Sequence, residues 1–342
     1  MSSQQTDFQR DLIDRLAQSV YLPFAMLAGM QLDLFTPLQH GPLTAEELAV
    51  ALAVKPDKLS LLLYALVNTR LLSVERDEAG IDHFANTPEA DYFLVKGKPS
   101  YRGSLHEAFS DMWNSALHTA ETIRHGQPQA KHDFHSMDPA ELAVFFRGLH
   151  AGATATARAL MRRYDMKLHR SLLDVGGGSG GLAISLVNAL PALHATVAEL
   201  PSVTSITQQF IDEAGVGERV TALTIDVAKD AFSGDTTYDA AVMLNYTQIL
   251  SIADIRSSLQ HVYEVLDPGG VLYIVAAVLD DERTTPIETV GMNLVFLNIY
   301  DDGRAYTDGE YRSWLAEAGF VDYERMSRVG VTASFIRVCK PG

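Results

Sequence analysis

The residues Leu172-Leu173-Asp174-Val175-Gly176-Gly177-Gly178-Ser179-Gly180 carry the densest chemical signal in the chain. An apolar run ends at an acid, four glycines follow within five residues, and an apolar helical pattern resumes at Leu182, Ile184, Leu186, Val187 and Leu190. This order reads as a strand, a tight turn and a helix start. A turn bare of side chains lets backbone N–H groups approach a bound nucleotide. Gly176, Gly178 and Gly181 satisfy G-x-G-x-x-G, a spacing that dinucleotide dehydrogenases and methyltransferases share.

Three acids narrow the choice of nucleotide. Asp174 stands two residues before the glycines, where an anion can meet a cationic amino-acid tail but repels a pyrophosphate. Glu199 closes the next expected strand, where a carboxylate can accept both hydroxyls of a ribose, as it also does in NAD enzymes. Asp226 closes the third, in place to accept from an adenine amino group. Strand ends along one sheet edge form a ligand crevice. Glycines ringed by acids on three successive strands fit S-adenosylmethionine, a sulfonium cation without phosphate.

The elements that must hold these residues follow from periodicity. From Arg170 onward strands and helices alternate: strand 171–175, helix 180–190, strand 194–199, helix 202–214, strands 220–225 and 238–244, and helix 252–266. An Asp267-Pro268-Gly269-Gly270 turn and strand 271–278 come next, then helix 308–318 and closing strands 320–327 and 331–338. Alternation with near-continuous apolar strands argues for a doubly wound, parallel α/β sheet, with the last two strands as an antiparallel edge hairpin.

Upstream, residues 8–39 keep helical periodicity. Thr44 then caps a helix Glu46–Ala53, Lys55-Pro56-Asp57 leads into a helix Lys58–Leu72, and residues 72–85 read as a short hairpin. That order is a winged-helix pattern. Residues 100–165 read as helical and hold His106, Phe109, Met112, Trp113, Phe145, Phe146 and His150. The expected divisions are therefore 1–100, 101–165 and 166–342.

A winged helix suggests DNA, but the charge argues against it. The chain has a formal net charge of −16. Residues 1–100 alone hold 8 Lys/Arg against 13 Asp/Glu. The would-be recognition helix offers only Lys58 and Arg70, whereas a DNA reader needs basic and amide side chains on its exposed face. A structural or dimerisation role fits this half better. The single cysteine, Cys339, makes no internal disulfide. No basic-then-apolar leader opens the sequence, and no apolar run reaches the length of a membrane span. The expectation is a soluble, cytoplasmic protein that binds neither nucleic acid nor membrane.

With these motifs in order, the chain resembles class I S-adenosylmethionine-dependent O-methyltransferases that carry an N-terminal winged-helix dimerisation domain. The resemblance rests on "LDLFTPLQHGPLTAEELA", "IRHGQP" after Trp113, "YDMKLHRSLLDVGGGSGG", "AELP", "LDPGGVLYIV" and "GRAYTDGEYRSWLAEAGF". It implies a Rossmann-like methyltransferase domain, a homodimer, and S-adenosylmethionine as methyl donor. It places Gly176, Gly178 and their neighbours on the methionine part of the donor. Glu199 goes to the ribose, where the family more often has Asp, and the adjoining Leu200 is a further donor-binding residue. Asp226 and Val227 flank the adenine, and Leu244 and Asn245 border the donor.

The resemblance also locates a departure. Where many family members place a His base after the fourth strand, this chain has Gln248, which has no usable basicity. Three explanations stand open: an acceptor that ionises easily, a base elsewhere, or a reaction other than O-methylation. His150, in "FFRGLHAGA", is the leading alternative base, with His106 and Tyr246 behind it; a His150 bonded only to backbone or water is the plainer reading. Met112 and Trp113 suit a flat aromatic acceptor, and Asn293 and Phe296 lie in the segment 292–298 that lines the family's acceptor pocket. Each of these side chains could equally be core or helix surface. The acidic run Asp280-Asp281-Glu282 reads as a solvated loop, and no metal is implied. The expected activity is O-methylation of a phenolic or enolic aromatic metabolite. N- or C-methylation, a non-methylating reaction that uses the same cofactor, and a winged-helix regulator are the alternatives.

Overall fold

Two threonines start helices in the same way at opposite ends of the chain. Thr44 accepts the Glu47 N–H through its hydroxyl while the Glu47 carboxylate accepts the Thr44 N–H, and Thr307 and Glu310 repeat the exchange. Each pair satisfies two helix-end donors at once. The structure, a computed structural model, describes residues 10–326 and 333–342, the side chains from Leu12 onward. The N-terminal nine residues, position 327, and positions 331 and 332 of the expected last strand lie outside the described residues. The chain divides into two compact units, one through Ser110 and one from Asp111.

The first unit holds α1 (Arg10–Gln18), α2 (Tyr21–Gln31), β1 (Leu43–Thr44), α3 (Ala45–Leu52), α4 (Pro56–Asn68), β2 (Leu72–Arg76), β3 (Asp82–Asn86) and α5 (Pro88–Leu94). The helical stretch expected over 8–39 is broken after Gln18 and again after Gln31, where Asp33 takes φ +52. α4 stops at Asn68 instead of continuing to Leu72. Arg70 turns the chain at φ +60, and the Leu71 N–H returns to the Leu66 carbonyl at 3.1 Å, a left-handed helix ending that frees Leu72 to begin a strand. β2 and β3 form an antiparallel hairpin and β1 pairs with β3. Leu34, Phe35, Leu48, Leu63, Leu66 and Phe84 fill the core. Outside it, α1 and the start of α2 leave Ile13, Leu16 and Tyr21 more than 60% exposed.

The second unit completes α6 (His106–Ala116) and adds α7 (Thr119–His125), α8 (Pro139–Arg163), β4 (Ser171–Val175), α9 (Gly181–Ala189), β5 (His194–Glu199), α10 (Pro201–Ala214), β6 (Val220–Thr224), β7 (Tyr238–Leu244) and α11 (Ile252–Val265). It continues with β8 (Leu266–Ala276), β9 (Val278–Leu279), α12 (Ile287–Ile299), β10 (Tyr306–Thr307), α13 (Asp308–Glu317), β11 (Val321–Met326) and β12 (Ser334–Cys339). Its main sheet runs β11-β12-β8-β7-β4-β5-β6. Strands β4 to β8 pair in parallel, and β12 is antiparallel to both β8 and β11. Side chains alternate between the two faces with the strand period. Leu172 joins the α8–α10 layer with Ala183 and Leu186, while Leu173 and Val175 join the opposite layer with Leu259 and Trp314.

Three expectations about this unit need correction. The 100–165 segment is not continuously helical, because residues 126–138 run without a helix between α7 and α8. The Asp267–Gly270 turn does not precede the strand but lies inside β8. The pairing with β7 shifts there, and Gly269 and Gly270 exchange backbone hydrogen bonds with Lys340. Asp226 stands beyond its strand, which ends at Thr224. Among the described residues, no helix is long and apolar enough to cross a membrane.

Candidate active site

β4 is the place where the strand order reverses: the chain proceeds outward through β5 and β6, then returns to β7 on the other side of β4. Ligands of doubly wound sheets bind beyond the strand ends at such a switch point. The glycine turn emerges here. Gly176 has φ +62 and no room for a Cβ, which would run into the Tyr246 ring; Gly178 has φ +58, and a Cβ there would lie 2.8 Å from Phe146. Only glycine takes both the backbone angle and the space.

Glu199 holds the turn from the side. Its Oε1 accepts the Gly178 N–H at 2.7 Å and its Oε2 the Leu200 N–H at 2.8 Å. The Thr207 hydroxyl completes the grip by donating to the Gly178 carbonyl at 2.6 Å. Asp174 lies beneath the turn instead of at its mouth. It is fully buried, a Cβ on Gly177 would press on it at 2.7 Å, and neither carboxylate oxygen has a hydrogen-bond partner. Burial pushes Asp174 up to about 7; the nearby Ala183 N–H pulls it down without reaching bonding geometry, and the Glu199 charge raises it further. Burial also pushes Glu199 up to about 7 against the pull of its two backbone donors. Among the described residues neither acid has a basic partner, so the pair makes a buried acidic pocket whose ionised forms a cation would stabilise.

The remaining residues expected around the donor gather along this edge with individual partners. Leu200 precedes α10 and gives its N–H to Glu199. Asp226 is half-buried and accepts the Ala228 N–H at 3.1 Å, while Val227 is buried in the α11-side core. Leu244 ends β7, and exposed Asn245 follows at φ +54. Gln248 is buried: its Oε1 accepts the Ala277 N–H at 3.1 Å and its Nε2 donates to Asn245 Oδ1 at 3.4 Å. Tyr246 covers Gly176 and pairs its hydroxyl with Ser258 at 3.0 Å, and burial pushes its pKa up, which favours the protonated phenol.

His150 reaches the same loop from α8. Its Nδ1 lies 2.9 Å from Ser179 Oγ, and its ring stacks on Phe210 at 4.8 Å. Burial first, then the Arg147 charge, lowers its pKa and keeps the imidazole neutral near pH 7. The acceptor-side residues divide. Asn293 accepts the Ala305 N–H at 2.7 Å. Phe296 packs with Ala277, Leu279 and Ala305, next to Tyr300. Met112 and Trp113 are half-buried on α6; His106 stands at the head of that helix in the first unit. Of the acidic run, Asp280 binds Thr285 and Arg325 and Asp281 caps the Gly309 N–H.

Sequence reasoning singled out Phe145 and Phe146 but missed the aromatic cluster they join. Phe134 lies within 6.2 Å, centroid to centroid, of Phe145, Phe146 and Tyr300, and His132 abuts Phe145 at 5.5 Å. Phe146 is also the ring over Gly178. A continuous wall of rings therefore runs from the glycine turn to α12. His132 and Phe134 lie in the non-helical 126–138 segment, where no periodicity could single them out.

Comparison with known proteins agrees with this geometry. Residues 104–321 match the family model of an O-methyltransferase domain, and residues 14–96 match that of an O-methyltransferase dimerisation domain. A 3-hydroxy-5-methyl-1-naphthoate 3-O-methyltransferase of Streptomyces sahachiroi is 28% identical over 313 residues, 90% of this chain and 88% of that one. An N,N-dimethyltransferase of Streptomyces rimosus is 31% identical over 307 residues, 86% of each chain. The crystal structure of human N-acetylserotonin methyltransferase in complex with SAM superposes with a TM-score of 0.84 at 22% identity, covering all of both chains.

Proposed function

The chain belongs to the O-methyltransferase family, and from that premise we propose that it carries the methyl group of S-adenosylmethionine to a hydroxyl of an aromatic small molecule at the β4–β7 switch point. The observation that carries this reading is the pair of buried carboxylates, Asp174 and Glu199, around a side-chain-free turn. A pyrophosphate would add negative charge to a pocket that already holds two acids without a basic partner. A cation relieves both.

The bound donor supplies a methyl group activated by its sulfonium. Gly176 and Gly178 let its methionine part lie against the backbone, with the Asp174 charge below. Glu199 has lone pairs left over from Gly178 and Leu200 with which to accept ribose hydroxyls. Asp226 and Val227 flank the adenine, and Leu244 and Asn245 close the edge. In-line transfer then depends on alignment. Gln248 contributes through position: its amide cannot remove a proton, and both of its ends are already bonded to the protein. The wall of Phe134, Phe145, Phe146, Phe296 and Tyr300 provides flat apolar surface for an aromatic acceptor. Exposed apolar residues of α1 and α2 in the dimerisation domain support a homodimer.

One observation favours a second reading. A neutral amine needs no base to attack, so a Gln at position 248 suits N-methylation, the reaction in the name of the Streptomyces rimosus relative. Incubation with methyl-labelled donor and matched hydroxy- and aminonaphthalenes separates the two. The first reading expects a product heavier by one CH2 with the label on oxygen. Label on nitrogen alone supports the second, and no labelled product overturns both.

A further inference from the structure

We infer that His132 recognises the acceptor, taking a hydrogen bond from a hydroxyl on the aromatic substrate through the ring nitrogen that faces away from Asp111. This rests on the reading of the chain as a methyltransferase of aromatic acceptors.

The segment that carries His132 is fixed by its backbone. The Ala130 N–H donates to the Asn298 carbonyl at 3.0 Å and the His132 N–H to the Ile299 carbonyl at 2.8 Å, so the loop is tied to the end of α12. Asn298 is itself anchored, accepting from Thr122 Oγ1 at 2.5 Å and donating to Thr119 Oγ1 at 2.9 Å. The ring thus has a defined position. Its Nε2 lies 3.1 Å from Asp111 Oδ2. A carboxylate can only accept, so the neutral tautomer that suits Asp111 carries its proton on Nε2, and in that tautomer Nδ1 presents a bare lone pair.

That lone pair has no partner. His132 Nδ1 is buried and makes no hydrogen bond. Around the ring stand Phe145 edge-on at 5.5 Å, Tyr300 at 6.4 Å and Phe134 at 6.4 Å. Buried acceptors are normally satisfied, and an exception calls for a reason. The surroundings supply one. Phe145 touches Phe146, and Phe146 covers Gly178, so the unmet nitrogen stands at one end of the aromatic wall that starts at the glycine turn. Rings alone hold any flat molecule. A bare imidazole nitrogen among them prefers a molecule with a donor at that end, because without one the nitrogen stays unpaired. His132 is therefore a specificity residue for a hydroxylated aromatic ring, and Asp111 sets its tautomer.

The test is calorimetry on the full chain saturated with S-adenosylhomocysteine, titrated with mono- and dihydroxynaphthalenes. The wild type is expected to bind a dihydroxynaphthalene about tenfold more tightly than the matching mononaphthol. His132→Phe is expected to lose that preference while binding S-adenosylhomocysteine unchanged and melting no lower, since it replaces an orphaned polar atom with a ring. His132→Asn, whose Oδ1 offers an acceptor close to the place of Nδ1, is expected to keep most of the preference. A wild type without preference, including one that binds neither naphthol, overturns the inference, as does a preference that survives in His132→Phe. Loss of preference in His132→Asn as large as in His132→Phe also overturns it. Failure of the wild type to bind S-adenosylhomocysteine, read in the first titration, overturns the methyltransferase reading instead.

Discussion

Gln248 Oε1 accepts the Ala277 N–H at 3.1 Å, and this bond joins the turn after β7 to the chain just beyond β8. The neighbours of Ala277 extend the link, since Ala277 packs with Phe296 on the acceptor side. Gln248 thereby holds together the two strand ends that border the proposed site. Gln248→Ala leaves a buried N–H without a partner and is expected to lower unfolding free energy by about 1–3 kcal/mol. Turnover is expected to fall less than about tenfold, because no proton transfer is removed. Denaturant titration beside steady-state rates checks both.

His150 stacks on Phe210 and bonds to Ser179, a structural position for a neutral imidazole. His150→Phe preserves a stacked ring and removes any basicity. Its rate is expected to stay within about fivefold of wild type, whereas loss of a general base would lower it by about a hundredfold or more. A pH–rate profile unchanged between the two proteins would agree with the smaller effect.

Gly176→Ala forces a side chain into the left-handed region and against the Tyr246 ring. The substitution is expected to destabilise the fold by about 1–3 kcal/mol and to weaken donor binding, as thermal melts with and without S-adenosylhomocysteine would show. Gly177, between the first and second of the turn's positive-φ residues, fails for a different reason: its Cβ would press on Asp174.

The raised carboxylates give stability a definite pH trend. Asp174 goes from 3.8 in the open chain to about 7 in the fold, and Glu199 from 4.5 to about 7. Between these values the folded chain holds protons that the unfolded chain has released. Their contribution therefore falls as pH rises from about 4 to 7 and is level above that. Asp174→Asn removes one charge and is expected to melt higher than wild type at about pH 8, with the advantage shrinking towards about pH 5. A cationic donor favours the ionised forms, so wild-type affinity for S-adenosylmethionine is expected to rise across the same range with release of protons. Asp174→Asn flattens that rise. Calorimetry in buffers of different ionisation enthalpy reads the proton count.

Much of this was legible from residue patterns. β4, β5 and β7 fall where the apolar runs placed them, and the glycine turn, Asp174 and Glu199 converge as spacing along successive strands requires. Local chemistry hid the rest. Nothing in the sequence distinguishes an acid at the mouth of a turn from one beneath it, and Asp174 lies beneath. The Asp267–Gly270 turn is absorbed into β8 because Lys340, some 70 residues later, pairs with its glycines. Asn293 was read as a ligand contact or a helix-surface residue alike, and neither reading held its bond to the Ala305 N–H, a partner set by the path of the chain after α12. His132 and Phe134 were invisible for the opposite reason: an irregular segment has no period, and only the fold brings them beside Phe145 and Tyr300.

Glu199 is the hinge of the whole reading, since it grips the glycine turn and faces the proposed ribose site. Titration calorimetry of S-adenosylhomocysteine into the wild-type chain and into Glu199→Ala tests it most directly. Saturable one-to-one binding by the wild type, weakened at least about tenfold in Glu199→Ala, is the expected result. No binding heat with the wild type, or equal affinity in the two proteins, would contradict it.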